Sequence, residues 1–167
     1  MIDKLAAGAI AGIAGTTAMT VFMNPGVVGA LPRRWKPDAF VPRQIVQWAE
    51  SLAGRPDALT ESQEKAAAAI AHLAYGSAMG AIYGAVAGRA QHAPAIARGA
   101  AWGLLVWAAG YQGWLPAAGV RPPTTHEPYS KWPVPIGNHI VFGVVTALAY
   151  DDLLDRSILR HAVRIEV

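Results

Sequence analysis

Charged residues in this chain are clustered, and the gaps between the clusters are the first structural signal. Four stretches hold no Asp, Glu, Lys or Arg: residues 5–29, 66–88, 99–120 and 134–150. A bilayer core takes roughly 20 apolar residues as a helix, with about 17–25 as the working range. All four stretches reach that range, the last at its lower edge. Extended to the nearest start and stop signals, they predict membrane helices over residues 5–29, 61–88, 95–118 and 135–152. Period-two alternation, the signature of a transmembrane barrel, is absent. A soluble domain of this size would have to bury four nearly uncharged helices.

Local signals mark the boundaries. Thr60-Glu61-Ser62-Gln63 matches a capping box and starts the second span. Asn24-Pro25 breaks the first. Gly110, Gly113 and Pro116 weaken the end of the third, and Asp151, Asp152 and Asp155 lead from the fourth into a polar tail. The short loop 89–98 predicts that the second and third spans are antiparallel neighbours.

Residues 42–53 follow a different pattern. Ile45, Trp48, Ala49 and Leu52 recur at helical spacing, with Arg43, Gln44, Gln47 and Glu50 on the other side. This is an amphipathic helix, with Pro42 in its first turn and Gly54 just past its end. It either lies on the membrane surface or packs over the helix ends. Arg33, Arg34, Trp35 and Lys36 before it suit the headgroup layer.

The expected fold is therefore all-α: one polytopic membrane domain over residues 1–167, a four-transmembrane-helix bundle with a short interfacial amphipathic helix. Two tandem two-helix repeats are a further expectation. The first and third spans are both glycine-rich, while the second and fourth share His72-Leu73-Ala74-Tyr75-Gly76 and His139-Ile140-Val141-Phe142-Gly143. Gly76, Gly80, Gly84 and Gly88 place a glycine at every fourth residue of the second span. In lipid such a stripe lets another helix approach closely, within the bundle or between protomers.

With four spans, the second and fourth run in the same direction, so His72 and His139 enter from the same face. Asn138 adjoins His139, Asn24 and Gln112 end the first and third spans there, and the loop carrying His126 and Glu127 lies on that side. These seven residues form a candidate polar vestibule. Ionisable residues at membrane depth are costly and often functional, but a histidine near a helix end also serves to fix packing. A proton, solute or ion pathway is the alternative. Haem or metal ligation by His72 and His139 is another. Otherwise no cofactor is expected. Tyr75, Tyr111 and the tryptophans read as belt and packing residues.

Composition narrows the function further. Of the 167 residues, 53% are hydrophobic and 15% charged, against about 25% charged in an average soluble domain. The absence of cysteine excludes disulfides and thiolate metal sites. A net charge of +3, with basic residues at the ends of the apolar runs, gives no nucleic-acid footprint. No phosphate loop, nucleophile elbow or metalloprotease motif is present, so no enzymatic activity is expected. Lys4 before an apolar run has the opening of a signal peptide. The run is long for that role and lacks a small-x-small cleavage site, so it is read as a span.

Arg98-Gly99-Ala100-Ala101-Trp102-Gly103-Leu104 leads through Leu115-Pro116-Ala117-Ala118-Gly119 to Pro122-Pro123. Thr125-His126-Glu127-Pro128-Tyr129-Ser130 and Asn138-His139-Ile140-Val141-Phe142-Gly143 follow. This order resembles the YagU-like family of uncharacterised bacterial inner-membrane proteins, best over residues 66–152. The resemblance implies an inner-membrane location and no established activity, and it supplies no catalytic residues. Six Lys and Arg on the side of the termini against eight on the other nearly balance. The resemblance then favours both termini in the cytoplasm.

Three functions stay open at this level. The first is a structural or accessory protein that packs with itself or with a larger membrane complex, which the glycine stripe supports. The second is a small transporter or channel with a pathway past His72 and His139. The third is a haem- or metal-holding membrane subunit.

Overall fold

A computed structural model of the chain describes residues 3–36, 40–87 and 93–165. Gly88, the last glycine of the expected stripe, and residues 89–92 of the loop lie outside them. The described residues are helical, with no strand among them. Three helices are long and apolar enough to cross a membrane: Lys4–Phe22, Glu61–Ala87 and the stretch Tyr129–Ser157.

The first, α1 (Lys4–Phe22), ends where Asn24 starts a new helix. Asn24 Oδ1 accepts the Gly26 N–H at 2.9 Å, and Pro25 occupies the first turn of the short α2 (Pro25–Ala30). The expected helix 5–29 is thus two helices with a break at the expected place. The amphipathic segment forms α3 (Val41–Leu52). Next, α4 (Glu61–Ala87) opens on the expected capping box, in which the Thr60 N–H donates to Gln63 Oε1 at 2.9 Å and the Gln63 N–H to Thr60 Oγ1 at 3.4 Å.

The third expected span does not form one uniform α-helix. The α5 helix (Ala95–Ala108) passes into a π-helical turn at Ala109–Trp114 and then into α6 (Leu115–Ala117). Gly110 and Gly113 lower the resistance to a change of pitch. Pro116 has no N–H for the Gln112 carbonyl and crowds it in an α-helix, which a wider turn relieves. The last helix, α7 (Pro133–Ile165), continues beyond the expected end near residue 152, so the polar tail is helical. An Asp152–Arg156 pair at 2.8 Å, one turn apart, supports the extension.

Packing is governed by small residues. On α1 the buried positions are Ala7, Gly8, Ala11, Gly12, Gly15, Thr16 and Met19, while Ile10, Ile13, Val21 and Phe22 are exposed. Ile70, Ile82 and Val86 on α4, and Leu104 and Leu105 on α5, also face outward. Small residues inside and large apolar ones outside suit a lipid environment, where van der Waals fit rather than hydrophobicity joins helices.

The glycine stripe of α4 is consumed within the chain. A Cβ on Gly80 would lie 2.6 Å from Gly12 Cα, and one on Gly84 3.2 Å from Gly8 Cα. Gly76 sits against Thr16 and Gly12. A second glycine crossing joins α5 to α7, where a Cβ on Gly143 would lie 2.8 Å from Gly103 Cα and one on Gly99 2.6 Å from Val144 Cα. Gly15 brings α1 onto Phe142 and Thr146 of α7. The packing order is therefore α4, α1, α7, α5. The second and third spans, expected as antiparallel neighbours, meet only thinly, and each packs chiefly on another helix. Glycine surfaces, not loop length, select the partners.

Candidate functional site

Helices α1 and α5 finish at one end of this packed group, and α4 and α7 begin there. Between them lies a cavity of about 340 Å³. Met19, Thr20 and Met23 of α1, Ala71, His72 and Tyr75 of α4, and Val134, Pro135, Asn138 and His139 of α7 form three sides. The π-helical turn supplies Gly110, Tyr111 and Trp114, followed by Leu115. Phe40, Gln44 and Ile45 of the α3 segment close over it, with Arg121, Glu127 and Lys131 from the following loop.

The covering segment is latched. Glu64, buried in the first turn of α4, accepts from Arg43 at 2.5 Å and from Gln47 at 2.9 Å. Trp48 Nε1 donates to the Ala118 carbonyl at 2.9 Å, tying α3 to the end of α6. Of the two expected placements for α3, packing over the helix ends is the one observed, although Leu52 remains 68% exposed. Trp132 Nε1 holds the loop to the Thr124 carbonyl at 3.0 Å, and Lys131 Nζ reaches the Lys36 carbonyl at 2.8 Å.

Inside, His139 Nδ1 lies 2.7 Å from the Pro135 carbonyl oxygen. A carbonyl only accepts, so Nδ1 carries the hydrogen and, in the neutral ring, Nε2 is left as an acceptor. The ring meets Tyr111 edge-on at 5.5 Å between centroids. The Arg121 guanidinium lies over Tyr111 at 4.6 Å and pairs with Glu127. His72 meets Phe40 edge-on at 5.9 Å. Asn138 is only 8% exposed, and its amide has no hydrogen-bond partner among the described residues.

Of the seven expected vestibule residues, four meet in the cavity: His72, His139, Asn138 and Glu127. His72 is eleven residues into α4 and His139 six into α7. Both nevertheless line the one cavity. Asn24, Gln112 and His126 do not line the cavity. Asn24 is exposed and caps α2, Gln112 is exposed on the π-helical turn, and His126 is exposed in a 3₁₀ turn at Thr124–His126.

Sequence reasoning read Tyr75, Tyr111 and Trp114 as belt and packing residues and did not single out Arg121 or Gln44 for the site, yet all five line the cavity. The signal for Arg121 was its opposite charge six residues before Glu127 in a proline-rich loop. For Tyr111 it was the Gly-Tyr-Gln-Gly-Trp run, where a change of pitch re-aims side chains. Among the described residues, no group of three His, Asp or Glu gathers as a metal-binding set.

The opposite end is closed. Arg98 pairs with Asp151 at 2.5 Å, donates to the Tyr83 hydroxyl at 3.3 Å and to the Ala93 carbonyl at 3.0 Å. Tyr83 packs on Tyr150 and Trp102 with centroids 5.5 and 5.7 Å apart, and the Tyr150 hydroxyl donates to the Gly84 carbonyl at 3.2 Å. The cavity is therefore one-sided. No protein-family model, curated protein or solved structure matches the chain.

Proposed function

We propose that this chain is a four-span bacterial inner-membrane protein, without enzymatic activity, that admits a small, partly apolar solute into its one-sided cavity. It would act as a solute-binding or transport component. The observation that carries the reading is the cavity itself, which is mostly apolar but is also lined by Asn138, His72 and His139. Concave, largely apolar sites with a few converging polar groups are the usual form of small-molecule sites. A continuous helical path over residues 95–117 supports counting α5 to α6 as the fourth span. The matched glycine crossings, Gly76 of α4 against α1 and Gly143 of α7 against α5, support two tandem helix-pair repeats.

The accessory-protein reading loses its main support, because the stripe that suggested self-assembly is covered by α1. A homo-oligomer or complex would have to use the outward apolar faces, which lipid also satisfies. A second reading, ligation of haem or a metal by His72 and His139, draws on the His139 Nε2 acceptor. Both termini in the cytoplasm, as the resemblance favours, would open the cavity to the outer face.

The absence of cysteine makes a direct test possible. A single cysteine at Ala71, on the cavity wall, should react with a membrane-impermeant thiol reagent from the outer face alone. A cysteine at Leu73, on the outward face of the same helix, should stay unlabelled. Reaction of both, or of neither, would overturn the reading.

A further inference from the structure

The charges on the cavity wall are already engaged. Arg121 pairs with Glu127 and lies on Tyr111, and Lys131 Nζ bonds to the Lys36 carbonyl. An anion would have to displace Glu127 from Arg121 or the partners that already hold Lys131, and a cation would meet both of those positive charges. Either carries a desolvation penalty that an uncharged ligand avoids. The unused capacity is hydrogen bonding without charge: the Asn138 amide, the Nε1–H of Trp114, and Nε2 of His139, whose Nδ1–H is held by Pro135.

The shape of the wall adds a second constraint. Phe40, Tyr75, Tyr111 and Trp114 line it, with Met19 and Met23 between them. Aromatic edges and adaptable methionines favour a flat ring. A volume of about 340 Å³ corresponds to roughly eleven water-sized units at about 30 Å³ each. That suits a fused bicyclic ring or a substituted single ring.

Resting on the solute-binding reading above, we propose that the cavity takes an uncharged aromatic ring bearing a hydroxyl group, a phenol or quinol head. The hydroxyl donates to His139 Nε2 and accepts from the Asn138 amide. Asn138 is more than nine-tenths buried as a residue and lines the cavity with no described residue bonding its amide, so that amide is available to the ligand's hydroxyl.

The test uses the full chain in nanodiscs of zwitterionic lipid, with four probes of similar size: 1-naphthol, naphthalene, 1-naphthoate and 1-naphthylmethylammonium. Empty nanodiscs give the partition background. The expected result is saturable 1-naphthol binding, about tenfold weaker naphthalene binding, and no saturable binding of either ion. The His139→Leu and Asn138→Leu variants should each lower the preference for 1-naphthol over naphthalene from about tenfold towards none, with naphthalene still binding saturably. That separates loss of the hydrogen bond from damage to the fold.

Equal affinity for 1-naphthol and naphthalene, or tighter binding of an ion, would overturn the ligand class. If no probe binds while cysteine at Ala71 is labelled from one face, the phenol inference falls and the cavity reading stands. If no probe binds and the cysteine is unlabelled, both fall.

Discussion

Replacing Gly80 by alanine adds one methyl group at the closest approach of α1 and α4. That methyl would lie 2.6 Å from Gly12 Cα and 2.7 Å from Gly12 N, and also against the Gly8 carbonyl. Carbon atoms pack at about 3.5–4.0 Å, so the helices must part by roughly 1 Å, which forfeits about a quarter to a half of each facing contact. Overpacking of this kind costs about 1–3 kcal/mol, while alanine's better helix propensity returns about 0.5–1 kcal/mol. A net loss of about 1–2 kcal/mol is expected. Gly137→Ala is the control, since nothing lies within 4 Å of its added methyl. It should be neutral or stabilising by up to about 1 kcal/mol. Denaturant titration in mixed micelles, followed by circular dichroism, reads both. The reasoning fails if Gly80→Ala is as stable as the parent, or if Gly137→Ala loses as much. Gly80→Leu extends the test: the stripe is intramolecular, so the folded monomer should be lost. A folded particle of smaller size would instead place the stripe between protomers.

Three further outcomes follow from the cavity and its cover. Glu64→Ala removes the buried acceptor that holds Arg43 and Gln47. It should cost about 1–2 kcal/mol, discounted because Arg43 is half-exposed, and should raise the labelling rate of a cysteine at Ala71 as α3 loosens. Arg121→Gln alone should destabilise by about 2–3 kcal/mol by stranding Glu127, and adding Glu127→Gln should restore part of that loss in a double-mutant cycle of unfolding midpoints. The visible spectrum of protein purified with adequate haem supply, before and after dithionite, should hold no band that His72→Ala/His139→Ala removes. Such a band would turn the assignment to haem ligation.

The sequence by itself determined the class of environment and most of the helices. Uncharged runs of membrane length, the capping box at Thr60 to Gln63 and the amphipathic spacing of Ile45, Trp48 and Leu52 are local properties, and local periodicity expresses them whatever the partner. It also marked His72, His139 and Glu127, because such side chains are conspicuous in apolar surroundings. Tertiary structure alone decided which glycine face meets which. Gly80 reads the same whether it faces Gly12 of its own chain or another protomer, since close approach is a property of two surfaces. The change of pitch at Ala109–Trp114 was likewise hidden: two glycines and a proline weaken an α-helix without saying whether it breaks or widens. That turn moved Tyr111 and Trp114 from an expected belt into the cavity wall, while capping took Asn24 out of it. A cavity exists only where several elements converge, and so its shape, and the unmet hydrogen bond of Asn138 within it, could be read only from the packed helices.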